Sequence, residues 1–468
     1  MIRRPWMQSE AGVARRLSLV LVFALILTAC GSDGGTDTTG GTDTTAPTTS
    51  ETTGDTGDVS NEEVTIRYQT HSNAGIDEFN EELVAEFEAV HPGVTVEFNA
   101  VPFENYEPGL LTSFVGGEGP DLFWIGDWVV PQFYEAGVLA DYDPDAYGLS
   151  REEFIAQYDP QSALDPYLID GGLYTAGISE FNVVSLVYNP ACFTEAGLEL
   201  PSSEEPLTWE EFAEIAGQLT LYEDGEKVRQ GWSYWSNLDI WTVLVLNPML
   251  EQLGGQLVDE AGQAQFDTPE MRQVLSYLAD LRFEYDAFDP AFTTDPLSDF
   301  ANKRQCIAFL GPWGVPVIQA QEGADPDLEV AVAPLPVWDG SDRGVSQYSW
   351  SWQVNANAPA ERQALAWELA RYLNGYSPQW FDRAGYIQPK VTEETESEPG
   401  VAVLDHIREA GPHVEVFEND FDYGVSQFRS ENYNEIAAIW TRAVTTVLEG
   451  GDIEQTLQQA QTEADAIG

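Results

Sequence analysis

The sequence predicts an α/β protein with more than one core. Three observations carry this. Short strands rich in β-branched residues alternate with amphipathic helices, the pattern of βαβ units and a mainly parallel sheet. The pattern begins at Glu63 and restarts near Gly172. The chain has 468 residues, 43% of them hydrophobic, too many for one ordinary core and suited to two domains of roughly 200 residues each.

Ahead of the first strand lies a segment of another kind. Arg3, Arg4, Arg15 and Arg16 precede the apolar run "LSLVLVFALILTA", which is shorter than the ~20 residues that span a bilayer. Leu27-Thr28-Ala29-Cys30 resembles the bacterial lipobox. That resemblance implies a lipoprotein signal peptide over 1–29, and a Cys30 that receives diacylglycerol and becomes the mature N-terminus. An uncleaved anchor or an ordinary secretory signal are the alternatives. Residues 30–63 then run in Gly, Thr, Ser and Asp with almost nothing to bury, so they read as a disordered tether. The expected location is the extracytoplasmic face of a cell membrane, which leaves capture, degradation, adhesion or sensing as functions.

The globular elements follow in order. "EVTIRYQT" is a strand. In "DEFNEELVAEFEAV", Phe79, Leu83, Val84, Phe87 and Val90 share one helical face, and His91-Pro92-Gly93 ends that helix. "VTVEFNAV" is a strand, "YEPGLLTSFVGG" a helix ending in glycine, and "PDLFWI" a buried strand. After the restart, "LYTAGISEFNVVSLVYNP" contains an apolar strand. Thr208 and Glu211 have the spacing of a capping box at the start of "TWEEFAEIAGQL". "PEMRQVLSYLADLRF" is an amphipathic helix. "CIAFLGPWGVPVIQA" reads as strand, turn and helix, "LEVAVAPLP" as a strand, and "APAERQALAWELARYLNG" as a long helix. Two helices broken at "EGGD" close the chain.

Charge and motifs exclude several functions. The chain carries 79 acidic and 20 basic residues, a formal net charge of -59. Such a field repels phosphates, so nucleic acid is not an expected partner. There is no G-x-S-x-G, H-E-x-x-H or Walker loop. Asp141, Asp143 and Asp145 mimic the start of an EF-hand, but Pro144 interrupts them and the sixth-place glycine is missing. No metal and no cofactor are expected. Cys192 and Cys306 make an even pair in an exported chain, either a disulfide or two buried thiols.

The order of the motifs carries a wider resemblance. "GGEGPDLFWIGDW", "VVSLVYNPACFTEAGLELP", "PLTWEEFAEIAGQLT", "FANKRQCIAFLGPWGVPVI" and "AERQALAWELARYLNG" together resemble the extracellular solute-binding proteins of ABC sugar importers, in the maltose-binding-protein-like group. The resemblance covers roughly 64–468. It implies a two-lobe, type II periplasmic-binding-protein (Venus-flytrap) fold with crossing hinge strands and a helical C-terminus. Lobe I is expected over 64–180 with a return segment at 346–392. Lobe II is expected over 181–345, with the C-terminal helices of 393–468 mostly in it. The implied function is capture of a sugar, expected to be an oligosaccharide, by a monomer that delivers it to a permease served by a separate ATPase.

The site is expected at loops beyond the carboxyl ends of strands. By similarity, Trp124 stacks on a sugar ring and Asp127 takes its hydroxyls, because an indole covers the apolar face of a pyranose while a carboxylate accepts from its rim. Trp128 stands where the family often has a basic residue. His71, Ser72 and Asn73 follow the first strand and face the same cleft. Glu180 and Asn182 fall in the first crossover, where the family often has a carboxylate that contacts the ligand. In "GWSYWSNLDIW" the aromatic residues look like a binding wall around Trp235, with part of Trp232, Tyr234 and Trp241 as core. Trp313 matches a family tryptophan that stacks on sugar. Tyr348, Trp350 and Trp352 alternate on one strand face, with Trp350 as a third stacking ring. Two rival functions stay open: a tethered glycoside hydrolase using Asp127 and Glu180, and the same fold holding a polyol or a peptide.

Overall fold

The computed structural model describes residues 63–467, except 260, 294, 322–323, 326–327, 391–392, 395–398, 402–405 and 408–411. The signal segment, Cys30 and the tether up to residue 62 lie outside the described residues. Among the described residues, eleven strands form the two larger sheets: β1 (Val64–His71), β2 (Val94–Val101), β3 (Leu122–Gly126), β4 (Gly177–Val183), β5 (Ser185–Tyr188), β6 (Leu221–Glu223), β7 (Glu226–Ser233), β8 (Gln305–Leu310), β9 (Ala331–Ala333), β10 (Val345–Val354) and β11 (Gly424–Ser426).

The first sheet has the order β2-β1-β3-β10-β4, with β11 beside the start of β10. The second has the order β9-β5-β8-β7-β6. Helices Ala74–Val90, Ala360–Leu373 and Ser377–Ala384 pack on the first sheet or on one another. The first sheet's core includes Tyr68, Phe123, Trp124, Trp352 and Trp380, all fully buried. These rings come from strands and helices far apart in the chain, so the core closes only when the return segment is in place.

The sequence predicts mainly parallel sheets, and the structure corrects this to mixed ones. β1 runs parallel to β2 and β3, and β7 to β8. β10, however, is antiparallel to both β3 and β4, and β5 is antiparallel to β8 and β9. The cause is the passage of the chain between sheets. The expected single apolar strand in 173–190 is two strands, with Val184 between them. β4 belongs to the first sheet and β5 to the second. The chain returns between β9 and β10, and the Val184 amide donates to the Ser346 carbonyl at 3.0 Å, the spacing of a ladder bond. Strands that carry the chain across enter the sheet against the direction of its βαβ units.

Asp420, in the helix Pro412–Phe421, ties these passages together. Its carboxylate accepts from Ser185 Oγ at 2.7 Å and from Arg343 at 2.6 Å. Ser185 opens β5, and Arg343 lies just before β10. Arg343 also lies over the Tyr423 ring, 4.3 Å from its centroid. Burial pushes the Asp420 carboxyl up to about 6.

Local signals read from the sequence reappear in the elements. Thr208 and Glu211 form a capping box on the helix Trp209–Leu219. The C-terminal helices are Tyr433–Leu448 and Ile453–Ala464. Asp143 accepts from the amides of Asp145 and Ala146 and so caps a short helix. Among the helices that periodicity missed is Asp239–Glu251, in which every residue from Ile240 to Leu250 is buried. A helix apolar on all sides has no amphipathic period to detect. Cys192 and Cys306 form a disulfide between the helix Pro190–Ala196 and β8.

Candidate functional site

β1 ends at His71, and the chain turns through Ser72 and Asn73 before the first helix. β3 ends at Gly126, and the turn that follows returns the Trp128 ring across the strand end. A Cβ at Gly126 would collide with that indole, so only glycine leaves room for it. β10 contributes Tyr348 and Trp350, and β4 contributes Glu180, which stands opposite Trp350 in register. From the second sheet's side come Trp235, the buried helix Asp239–Glu251 through Trp241, and Trp313 at the start of the helix Gly314–Gln319. All these side chains line one cavity of about 230 Å3.

The two walls differ in how their rings are held. Trp313 lies 5.8 Å from Trp241 and, nearly parallel, 6.5 Å from Trp235. Trp235 donates its indole N–H to Asp295 at 3.1 Å. Opposite, Trp350 sits edge-on to His71 at 4.7 Å and to Trp128 at 5.0 Å. Trp128 donates to Glu107 at 3.2 Å; it is 1% exposed and braces Trp350 more than it offers a face. A hydrogen bond joins the walls: Trp313 Nε1 donates to the Tyr348 hydroxyl at 2.7 Å. Gly385, at φ 70°, lets the walls close nearby, because a Cβ there would meet the Trp313 backbone.

Charge in the cavity is one-sided. Among the described residues, Glu104, Glu180 and Asp295 line it, with no Lys or Arg. Glu180 is 3% exposed and accepts from Asn182 Nδ2 at 2.7 Å. Burial pushes its carboxyl up to about 8. Burial also pushes the His71 imidazole down to about 4, so it is neutral at pH 7.

Residues 73–380 match the bacterial extracellular solute-binding proteins. The chain belongs to that family. The maltotriose-binding protein of Pyrococcus abyssi is 24% identical over 295 residues, 62% of this chain and 58% of that relative, so the chain spans less than two thirds of the relative's length. Among solved structures, maltose-bound T. maritima MalE3 gives a TM-score of 0.72 at 20% identity, over 86% of this chain and 100% of that one. An ABC substrate-binding protein of Listeria monocytogenes in complex with cycloalternan gives 0.69 at 21% identity, over 86% and 98%. These likenesses show the two-lobe fold of the family's maltose-binding members.

Within this solute-binding protein, the residues singled out by sequence divide into two groups. The cavity brings together His71, Ser72, Asn73, Trp128, Glu180, Trp235, Trp241, Trp313, Tyr348 and Trp350. Three expected contacts lie elsewhere. Trp124 is fully buried among Trp352, Trp380 and Tyr386, at 5.9–6.2 Å between ring centroids. It sits inside β3, whose two faces are both covered, so the ring reaching the cavity comes four residues later. Asp127 is 4% exposed and pairs with Arg429 at 3.6 Å rather than facing the cavity. Burial outweighs that guanidinium and pushes the Asp127 carboxyl up to about 6. Asn182 is fully buried and holds Glu180 from behind. Trp352 points into the core with Trp124, and Trp232 and Tyr234 are core as well.

Sequence reasoning also missed cavity residues. Asp295 had a readable sign, since it caps the helix Pro296–Ala301 just ahead of a proline and accepts from the Ser298 amide. Phe103 and Tyr386 had none, for each is a single aromatic residue in an unremarkable loop or helix start.

Proposed function

We propose that this protein captures a saccharide between its two lobes and delivers it to a membrane permease driven by a separate ATPase. The observation that carries the reading is the paired aromatic walls: Trp235, Trp241 and Trp313 on one side, Tyr348 and Trp350 on the other. Indole faces cover the apolar faces of a sugar ring, and Asn73, Glu180 and Asp295 take hydroxyls at its edge. The names of the relatives, which speak of maltotriose, maltose and cycloalternan, support a saccharide. A cavity of about 230 Å3 lies below the roughly 300–1,000 Å3 of common ligand sites, which favours a short saccharide.

In this reading Lobe I comprises 64–180 and 346–392, and Lobe II comprises 181–345 and most of 393–468. Ligand contacts with both walls favour the closed state over the open one. The protein works as a monomer, hung from the membrane by diacylglycerol on Cys30 and a tether to residue 63, and it carries no catalysis of its own. The hydrolase reading needs Asp127 and Glu180 at one scissile bond, and Asp127 is committed to Arg429 outside the cavity. A thermal-shift panel of mono-, di- and oligosaccharides tests the proposal. A stabilised melt without release of reducing ends is the expected result; reducing ends, or no saccharide that stabilises, would overturn it.

A further inference from the structure

The cavity's charge is more specific than saccharide capture requires. Among the described residues, its acids are Glu104, Glu180 and Asp295, set against a neutral His71, with no Lys or Arg. Asp295 is balanced by the Trp235 indole and the Ser298 amide, and Glu104 is exposed in the first turn of its helix. Glu180 differs from both. It is buried, its hydrogen bond comes from a neutral amide, and the groups around it are Asn182, Tyr348, Trp350 and Tyr386. Burying a carboxylate without a cation is costly, and a hydroxyl is a weak remedy for it. A ligand that brings a positive charge offsets that cost and favours the ionised carboxylate over the protonated form that burial alone favours.

The rings favour the same chemistry. A cation within about 6 Å of an indole face is attracted by the ring quadrupole, most strongly where water is excluded. The net charge of -59 also raises the local concentration of cations and repels anions. We propose that the preferred ligand is an amine-bearing saccharide, whose ammonium group pairs with Glu180 inside the tryptophan-walled cavity. This rests on the saccharide reading above and adds a charge to it. Anionic sugars and sugar phosphates are excluded by the same carboxylates.

The test is calorimetry on the mature protein with matched probes: glucosamine, galactosamine, mannosamine and the fully deacetylated chitosan disaccharide, each beside its N-acetyl form and its hydroxyl counterpart. Acetylation keeps the substituent and removes the charge. The expected result is binding at least tenfold tighter for one amine than for both of its neutral partners. Glu180→Gln should remove that preference, bringing the amine's affinity down to that of its neutral partners. The comparison on the unmutated protein stands even if the variant fails to fold. A neutral form bound as tightly as its amine overturns the charge proposal and leaves saccharide capture standing. Binding of choline with no saccharide bound overturns both, as does an absence of binding across the panel and across neutral oligosaccharides.

Discussion

The hydrogen bond from Trp313 to Tyr348 exists only when the two walls meet, so it can be separated from the stacking face of the same ring. Trp313→Ala removes both. A tryptophan buries roughly 150–250 Å2; if a ligand covers about 80 Å2 of it, the apolar loss at ~25 cal/mol/Å2 is about 2 kcal/mol. The bond at 2.7 Å contributes about 1 kcal/mol more. Together these weaken binding by about 3 kcal/mol, on the order of 100-fold in Kd. Trp313→Phe keeps a ring and loses the donor, so it should cost about 1 kcal/mol, roughly fivefold. Tyr348→Phe should cost a similar amount through loss of the acceptor. Because both single changes break one bond, the double variant should bind little worse than either, which a double-mutant cycle measures. The assay is titration calorimetry with the saccharide that most stabilises the protein in the thermal-shift panel, alongside circular dichroism melts. An unchanged affinity in Trp313→Ala with a native melt would refute the site. Additive costs for Trp313→Phe and Tyr348→Phe would refute the bridge.

Three further outcomes concern stability. The disulfide closes a span of 114 residues, for which chain entropy gives about 4–5 kcal/mol; Cys192→Ser with Cys306→Ser should lower the melting temperature by several degrees, and reductant should do the same to the native protein but not to the variant. Asp420→Ala leaves Arg343 without its buried partner and opens the link to Ser185, so urea unfolding should show a loss of about 3 kcal/mol. Burial raises the carboxyls of Glu180, to about 8, and of Asp127 and Asp420, to about 6. The folded state therefore binds more protons than the unfolded state between about pH 4 and 8, and stability falls as pH rises through that window. The melting temperature should climb from pH 8 to pH 5.5; a flat or opposite profile would show that these carboxylates are not buried in solution.

The buried acids also explain why the site's electrostatics could not be read from composition. A chain with 79 acidic residues offers many carboxylates of equal standing on paper. Burial sets a few of them apart, Glu180, Asp127 and Asp420 among them, and the partner of each decides its use: Asn182 leaves Glu180 without a cation, while Arg429 and Arg343 commit the other two. Asp127 and Trp128 are neighbours in sequence, yet one faces a salt bridge and the other a cavity.

The sequence by itself determined the elements and much of their order. Apolar period, capping box, glycine stops and the Gly-Pro-Trp turn are local, and they act within a few residues of where they are written. It also marked His71, Asn73, Trp235, Trp313, Tyr348 and Trp350, because polar or aromatic residues at strand ends have few other places to go. Tertiary structure decided which tryptophans became wall and which became core. Trp124 and Trp352 carry the same side chain as Trp350 but face a layer of helices, which the return strand β10 completes from more than two hundred residues away. It also decided the strand directions, since the passage at Val184 sets β4 and β5 in different sheets. Local pattern reports which residues seek burial; only the assembled sheets determine what they are buried against.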